Sequence, residues 1–353
     1  MVLATLFIVV VSFTVWLHHF FTMGAGGDVN AFFGISTSVI AVGTGVKVYN
    51  WIFTMYGGRI RFTTPMLWSI AFVLVFVVGG MTGVMLAVPP ADFVLHNSLF
   101  LVAHFHNVIV GGVVFGAFAG LTFWFPKAFG FSLDERWGKR AFWLSLLGFL
   151  GVFVPMYAVG LEGMTRRLQH VDNVVWAPWL YVMVAGIGVM MLGVAAQITQ
   201  LVVSIRNRDA LRDETGDPWD GRSLEWSTAS PPPEFNFAVL PDVHGEEPYW
   251  SIKQRAMESQ SLAEEPDYQP IHMPRNSPTG FITAFFATFT GFALIWHIWW
   301  LVALSLVGAY VTFVVFAWRD EPEFEISAEE VARIDRARRR TRQQWLDRQE
   351  QPA

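Results

Sequence analysis

The sequence predicts an all-α fold, a polytopic membrane helix bundle of about eight transmembrane helices with a polar loop and a charged tail. Two observations carry this expectation. Of 353 residues, 53% are hydrophobic and 15% charged, where an ordinary soluble domain has roughly 25% charged. The apolar residues also gather into runs long enough to cross a bilayer, at 2–23, 30–56, 66–88, 97–125, 141–163, 174–205, 279–297 and 299–318.

The first run begins at Val2 without a charged leader or a small-residue cleavage site, so it reads as a span rather than a signal peptide. It contains His18 and His19 in WLHHFF. The second run holds Thr44 and Lys47 in VGTGVKVYNW, and the fourth holds His104 and His106 in AHFHNVIVGG. Gly111, Gly112, Gly116 and Gly120 have the small-residue spacing of close helix packing, not of a phosphate loop. Arg166 and Arg167 follow the fifth run. The segment 206–278 is polar and proline-rich (GDPWDGR, SPPPEFNF, EEPDYQP) and reads as an ordered extramembrane loop with little regular structure. The runs 279–297 and 299–318 form a hairpin with an aromatic turn near His297 and Trp300, as an interface favours. The tail, with RARRRTR near its centre, is charged and helical in pattern. The expected divisions are 1–205, 206–278, 279–318 and 319–353.

Basic residues set the expected orientation. One set of loops carries Arg59, Arg61, Lys127, Arg136, Lys139 and Arg140, then the 206–278 loop and the tail. The opposite set carries only Arg166 and Arg167. The first set is therefore expected to be cytoplasmic, with the C-terminus. Net charge is −5, and nothing in the pattern suggests a nucleic-acid partner.

The chain has no cysteine, which removes disulfides and thiolate metal sites. Any metal must be held by imidazole, carboxylate or thioether. Ionisable groups at membrane depth are costly and mark functional sites. On a helix, residues two apart diverge by roughly 200°, so His104 and His106 present one imidazole on each side. Imidazole is a common axial ligand of haem iron, and facing helices of a bundle build such sites. The alternative is a pair of core histidines bonded to neighbouring helices. His18 and His19, roughly 100° apart, converge on one ion only through different ring nitrogens or tilted rings. Imidazole suits copper, but two ligands are too few, so a further one must come from elsewhere.

Lys47 reads either as a side chain snorkelling to the interface or as a protonatable step, with Thr44 one turn earlier as a hydroxyl relay. Arg166 and Arg167 offer guanidinium forks for carboxylates such as haem propionates, or plain interfacial anchors. Asp92 and His96 could complete a polar cap beside them. His170, His244, His272 and His297 read as structural.

WLHHFFTMG, TGVKVYNW, GGMTGVMLAVPPADFVLHNSLFLVAHFHNVIVGG, FPKAFGF, GMTRRL and GDPWDGRSLEWSTASPPPEFNFA together resemble subunit I of the haem–copper terminal oxidases, from Leu3 to near Trp318. Within that family the chain is most similar to the cytochrome bo-type ubiquinol oxidases. Asn97 follows His96 and Asn107 follows His106, where the cytochrome c branch has Asp and usually Tyr.

The resemblance implies that His18 and His19 bind copper, that His104 ligates the iron of a high-spin haem (o- or a-type), and that His106 ligates a low-spin haem (b-type). It implies a proton pathway through Lys47 and Thr44, and a propionate region at Arg166, Arg167, Asp92 and His96. It further implies O2 reduction to water with electrons from ubiquinol, proton pumping, partner subunits resembling II, III and IV, and a bacterial inner membrane among lipid. The family has about six or seven spans before WLHHFF, so the chain reads as a C-terminal half, inactive without the N-terminal half of subunit I. The alternatives are a cytochrome c oxidase fragment and a metal-free proton-path or assembly protein of the membrane.

Overall fold

Seven helices among the described residues are long and apolar enough to cross a membrane, and the shorter apolar helix Thr279–Ile295 makes an eighth candidate. The computed structural model describes residues 1–259 and 266–350, in two units that divide between Asp213 and Glu214. In hydrocarbon every backbone polar group must be satisfied within the chain, and helices do this segment by segment.

The first unit begins with α1 (Val2–Thr14), continued by a 3-10 helix over Trp16–Met23. Helix α2 (Gly27–Met55) and α3 (Thr64–Leu86) follow. A short α4 (Pro89–Leu95) then occupies a segment expected to be loop. Its Pro89 and Pro90 sit in the first turn, where the missing N–H groups cost nothing and the fixed φ suits a helix.

The fourth span departs from a simple α-helix. It starts as α5 (Leu99–His106), capped by Ser98 Oγ accepting from the Phe100 N–H. It widens into a π-helix over Asn107–Val114 and resumes as α6 (Phe115–Phe129), which stops at Gly130 with φ 80°. Single π turns inside α-helices recur at functional sites, and this one starts directly after the second histidine.

Helix α7 (Glu135–Leu161), capped by Asp134, has the largest buried share of any span and packs along α8 (Ala177–Arg206). Small residues make that seam close: a Cβ at Gly148 would lie 2.5 Å from the Met190 backbone nitrogen, and one at Gly186 would lie 2.7 Å from the Gly151 carbonyl carbon. Trp68 of α3, 1% exposed, centres the core with Phe115, Phe118 and Phe142 around its ring. Gly111 and Gly112 pack on Val75 and Phe76 of α3, as their spacing anticipated. At one end, the buried Thr64 gives its N–H and hydroxyl to Glu135 at 2.9 and 2.8 Å, tying α3 to α7.

The second unit has more regular structure in the polar loop than its composition suggested. It contains a 3-10 turn at Leu224–Ser227, α9 (Pro248–Ser259) and β1 (Ile271–Pro274). The hairpin α10 (Thr279–Ile295) and α11 (Trp299–Ala317) comes next, with His297 in the left-handed region at its turn. Strand β2 (Glu323–Ile326) pairs antiparallel with β1, Ile271 opposite Ile326, and α12 (Ala328–Glu350) forms the charged tail.

Candidate metal centre

Within the first unit, α2, α3, α4, α5 and the 3-10 turn line an open-sided cavity of about 700 Å³, inside the range of cofactor pockets. His18, His19, Thr44, Asp92, His96, His104 and Arg166 line it. Lys47, His106 and Arg167 do not belong to that lining.

In the 3-10 helix over Trp16–Met23 the Nε2 atoms of His18 and His19 lie 3.0 Å apart, with the rings inclined by 62°. Of the two routes to convergence, the tilted rings are the one adopted, through the same nitrogen on each. Thr37 of α2, not anticipated from the sequence, settles the His18 tautomer. Its hydroxyl donates to the Phe33 carbonyl at 2.6 Å and so accepts from His18 Nδ1 at 3.2 Å, leaving a lone pair on Nε2.

His104 is oriented in the same manner. Its Nδ1 lies 3.0 Å from the Gly79 carbonyl, which can only accept, so Nδ1 carries the proton and Nε2 carries the lone pair. Thr82 Oγ1 is 3.1 Å from the same Nδ1, and Tyr157 Oη is 3.0 Å from Thr82 Oγ1. A Cβ at Gly83 would sit 2.9 Å from His104 Cε1, so glycine there leaves the ring its place. His106 points elsewhere: Nδ1 donates to the Val102 carbonyl at 2.8 Å, and the ring stacks on Phe153 of α7 at 4.8 Å.

A polar rim closes one end. The strand-like segment Met164–Arg166 bonds to the chain before α5, Leu99 N–H to the Met164 carbonyl and Arg166 N–H to the Asn97 carbonyl, both at 2.9 Å. That contact delivers Arg166 to the cavity. Arg167, with φ 68°, turns away and is exposed, so the two arginines do not act as one fork. Asp92, buried in α4, meets His96 Nδ1 at 2.8 Å. Burial pushes the Asp92 carboxyl above its ordinary pKa, and the His96 contact opposes that rise. Lys47 is half-buried on α2, beside the cavity-lining Val48. The four remaining histidines sit in exposed positions, His170, His244 and His272 beside carboxylates and His297 beside Trp299.

The fold and the site define a class, the polytopic helical membrane proteins that gather imidazoles around a cavity among their helices. The family sequence model described as Cytochrome C and Quinol oxidase polypeptide I matches residues 1–190, and the chain belongs to that family. It is 68% identical over 95% of its length to a "Probable cytochrome c oxidase subunit 1" of Bradyrhizobium diazoefficiens, covering 50% of that protein. It is 55% identical over 95% of its length to the "Ubiquinol oxidase subunit 1" of Acetobacter aceti, covering 51%. Identity is 51%, again over 95% of this chain and 50% of the relative, to a "Cytochrome bo(3) ubiquinol oxidase subunit 1" of Buchnera aphidicola. The chain thus spans about half the length of the curated relatives it matches. A solved haem–copper terminal oxidase dimer overlaps 54% of this chain and 39% of its own, with TM-score 0.47 and 18% identity, too remote to add to these matches.

The family implies haem and copper in a multi-subunit membrane oxidase, and the cavity residues fit such groups. His18 and His104 each keep a lone pair on Nε2, that of His18 facing His19, and the Nε of Arg166 is buried with no hydrogen-bond partner. A buried guanidinium N–H without an acceptor suits an anionic group such as a propionate. For copper the fit is partial. Among the described residues no three His, Cys, Asp or Glu side chains come together as a metal site, so His18 and His19 require a ligand from outside the described chain.

Proposed function

We propose that this chain is the C-terminal half of the catalytic subunit of a proton-pumping ubiquinol oxidase that reduces O2 to water. One observation carries the reading: His18, His19 and His104 line one cavity while His106 faces the opposite side of its helix. That division suits one closed electron-transfer site and one open reaction site. When bound, a low-spin haem passes electrons, and a high-spin haem with copper binds and reduces O2.

The protein residues supply position and protons. His18 and His19 hold copper, with the His18 lone pair directed by Thr37 and the two rings inclined toward each other. His104 ligates the high-spin haem (o- or a-type) and His106 the low-spin haem (b-type). Arg166, with Asp92 and His96, caps the propionates; Arg167 borders that region from an exposed position, where solvent screens its charge. Lys47 and Thr44 carry protons toward the cavity that Thr44 lines. The working divisions are a six-span haem- and copper-binding part (1–205), a cytoplasmic loop (206–278), a transmembrane hairpin (279–318) and a cytoplasmic tail (319–353). The setting is a bacterial inner membrane, with subunits resembling II, III and IV and the complementary half of subunit I.

The donor assignment rests on Asn97 and Asn107. Asn107 spends its side-chain N–H on the Ala103 carbonyl of its own helix at 2.8 Å, and Asn97 offers no carboxylate for a divalent cation. The second reading, a cytochrome c donor, is favoured by the relative at 68% identity, which is named a probable cytochrome c oxidase subunit. A reduced-minus-oxidised visible spectrum of the assembled complex, followed by oxygen uptake with ubiquinol and with cytochrome c as separate donors, tests both. Two haem signals and uptake with ubiquinol support the proposal. Haem-free complex sinks it, and uptake with cytochrome c alone transfers the assignment to the other branch.

A further inference from the structure

His104 is held by more than a backbone carbonyl. Thr82 sits one turn beyond Gly79 on α3, and its Oγ1 lies 3.1 Å from His104 Nδ1 and 3.0 Å from Tyr157 Oη of α7. The threonine hydroxyl also lies 2.9 Å from the Gly79 carbonyl and 3.1 Å from that of Val78. Carbonyls only accept, so the single threonine proton goes back to its own helix. The oxygen is then free to accept from both of its other neighbours. The phenol is the more acidic hydroxyl of the pair, and Thr82 is its one hydrogen-bond partner among the described residues, so Tyr157 donates. His104 Nδ1–H is therefore shared between the Gly79 carbonyl and an oxygen whose remaining electron density Tyr157 draws upon.

We propose that Thr82 and Tyr157 are positioning residues that set the ligand strength of His104. This rests on the assignment of His104 as the iron ligand of the high-spin haem. The partner of the non-ligating ring nitrogen fixes the tautomer, the ring orientation and the basicity of a metal-bound imidazole. Thr82 raises that basicity by accepting the N–H; Tyr157 moderates it by competing for the same oxygen. The two residues thus oppose each other, and the device joins α3, α5 and α7, three helices that the sequence keeps well apart. Tyr157 is itself fixed by an edge-to-face contact with Phe100 of α5, centroids 4.9 Å apart, so its hydroxyl has a defined place.

The test is resonance Raman spectroscopy of the reduced, ligand-free assembled oxidase, reading the iron–histidine stretching band. A merely structural role would not move that band in a predetermined direction. Thr82→Val removes an acceptor at Nδ1 together with the hydroxyl that shares the Gly79 carbonyl, and should move the band, whereas Thr82→Ser keeps the hydroxyl and should restore the wild-type position. Tyr157→Phe removes the competitor while keeping the ring, and should shift the band upward. A shift in Thr82→Val that serine rescues, with an upward shift in Tyr157→Phe, establishes the hydrogen-bond chain. Unshifted bands in Thr82→Val and Tyr157→Phe, with haem content retained, overturn it and leave the assignment of His104 standing. A band that survives in His104→Ala overturns that assignment, and this inference with it.

Discussion

His18 and His19 place their Nε2 atoms 3.0 Å apart, although the residues are sequence neighbours. An ordinary α-helical turn separates adjacent side chains by roughly 100° and would spread them. The 3-10 winding spreads neighbours further, to roughly 120°, so it is the ring rotamers, inclined by 62°, that bring both Nε2 atoms toward one point. Without a metal, one N–H···N hydrogen bond from His19 to His18 accounts for the contact; with both nitrogens unprotonated, the same pair can hold a cation.

Two ligands do not close a copper site. The purified chain, inserted alone in membrane, should therefore show no oxygen uptake with ubiquinol, and copper should be lost on dialysis. Coexpression with the complementary half of subunit I should restore both. Oxygen uptake by the isolated chain would contradict the incomplete-site argument.

His104→Ala and His106→Ala should fail differently in the assembled oxidase. His104 faces the cavity, while His106 stacks on Phe153 on the other side. The expected result is loss of the carbon monoxide-binding haem in the first and of the low-spin haem signal in the second. Loss of one and the same haem in both variants would refute the two-face assignment.

The spans and the four membrane-depth histidines were legible because each rests on a local signal: hydropathy for the spans, and ionisable groups in hydrocarbon for the histidines. The two-face geometry of His104 and His106 was legible from helix periodicity. What the sequence hid is what tertiary packing supplies. Thr37, Thr82 and Tyr157 look like ordinary residues of apolar helices, and only helix packing puts their hydroxyls at imidazole nitrogens. The sequence assigns Arg166 and Arg167 the same role, yet Arg167 has a left-handed backbone and is exposed while Arg166 lines the cavity. The π turn after His106 has no periodic signature in a run that is apolar throughout.

In the second unit, Lys253 is held by Asp217, Asp220 and the Gly221 carbonyl at 2.5, 2.7 and 2.9 Å. Its side chain is 10% exposed and that of Asp217 8%, so Lys253→Met strands a buried carboxylate. Breaking such a pair costs roughly 3–5 kcal/mol, and limited proteolysis should show earlier cleavage between 214 and 259. Burial alone would lower the Lys253 pKa, but the bonds to Asp217 and Asp220 outweigh it and raise it above the ordinary 10.5. For a base whose folded value is raised, the stabilisation is complete below the unfolded value and is lost as pH rises through the folded one. Proteolytic resistance should accordingly be flat through neutral pH and fall only in strong alkali. A decline starting near neutrality would assign the stability to other groups.

Lys47→Met should leave both haem spectra intact while slowing reduction of the oxygen-binding centre. Methionine keeps the volume and the apolar stem but carries no proton, so packing on α2 survives. Thr44, which lines the cavity, should show a smaller effect in Thr44→Val because water can replace a relay hydroxyl in a cavity of this size. Stopped-flow spectra under anaerobic reduction read the rate directly. Wild-type rates in Lys47→Met would return that lysine to a snorkelling role.

Arg166 and Arg167 separate into two different expectations. The Arg166 Nε is buried without a partner and its side chain lines the cavity, while Arg167 is exposed. A guanidinium about 4 Å from a propionate, at an effective dielectric near 20, is worth roughly 4 kcal/mol. Solvent and neighbouring charges reduce this severalfold, to about 1 kcal/mol, which for one electron is on the order of tens of millivolts. Arg166→Gln should lower a haem midpoint potential by about that amount, because removing the cation destabilises the more negative reduced haem. Arg167→Gln should leave it within error, since bulk solvent already screens that charge. Arg166→Lys should recover part of the potential but not the fork geometry. Redox titration of the assembled oxidase decides the matter: equal shifts in both glutamine variants would mean that net charge at this end of the bundle, rather than the buried Arg166 guanidinium, sets the potential.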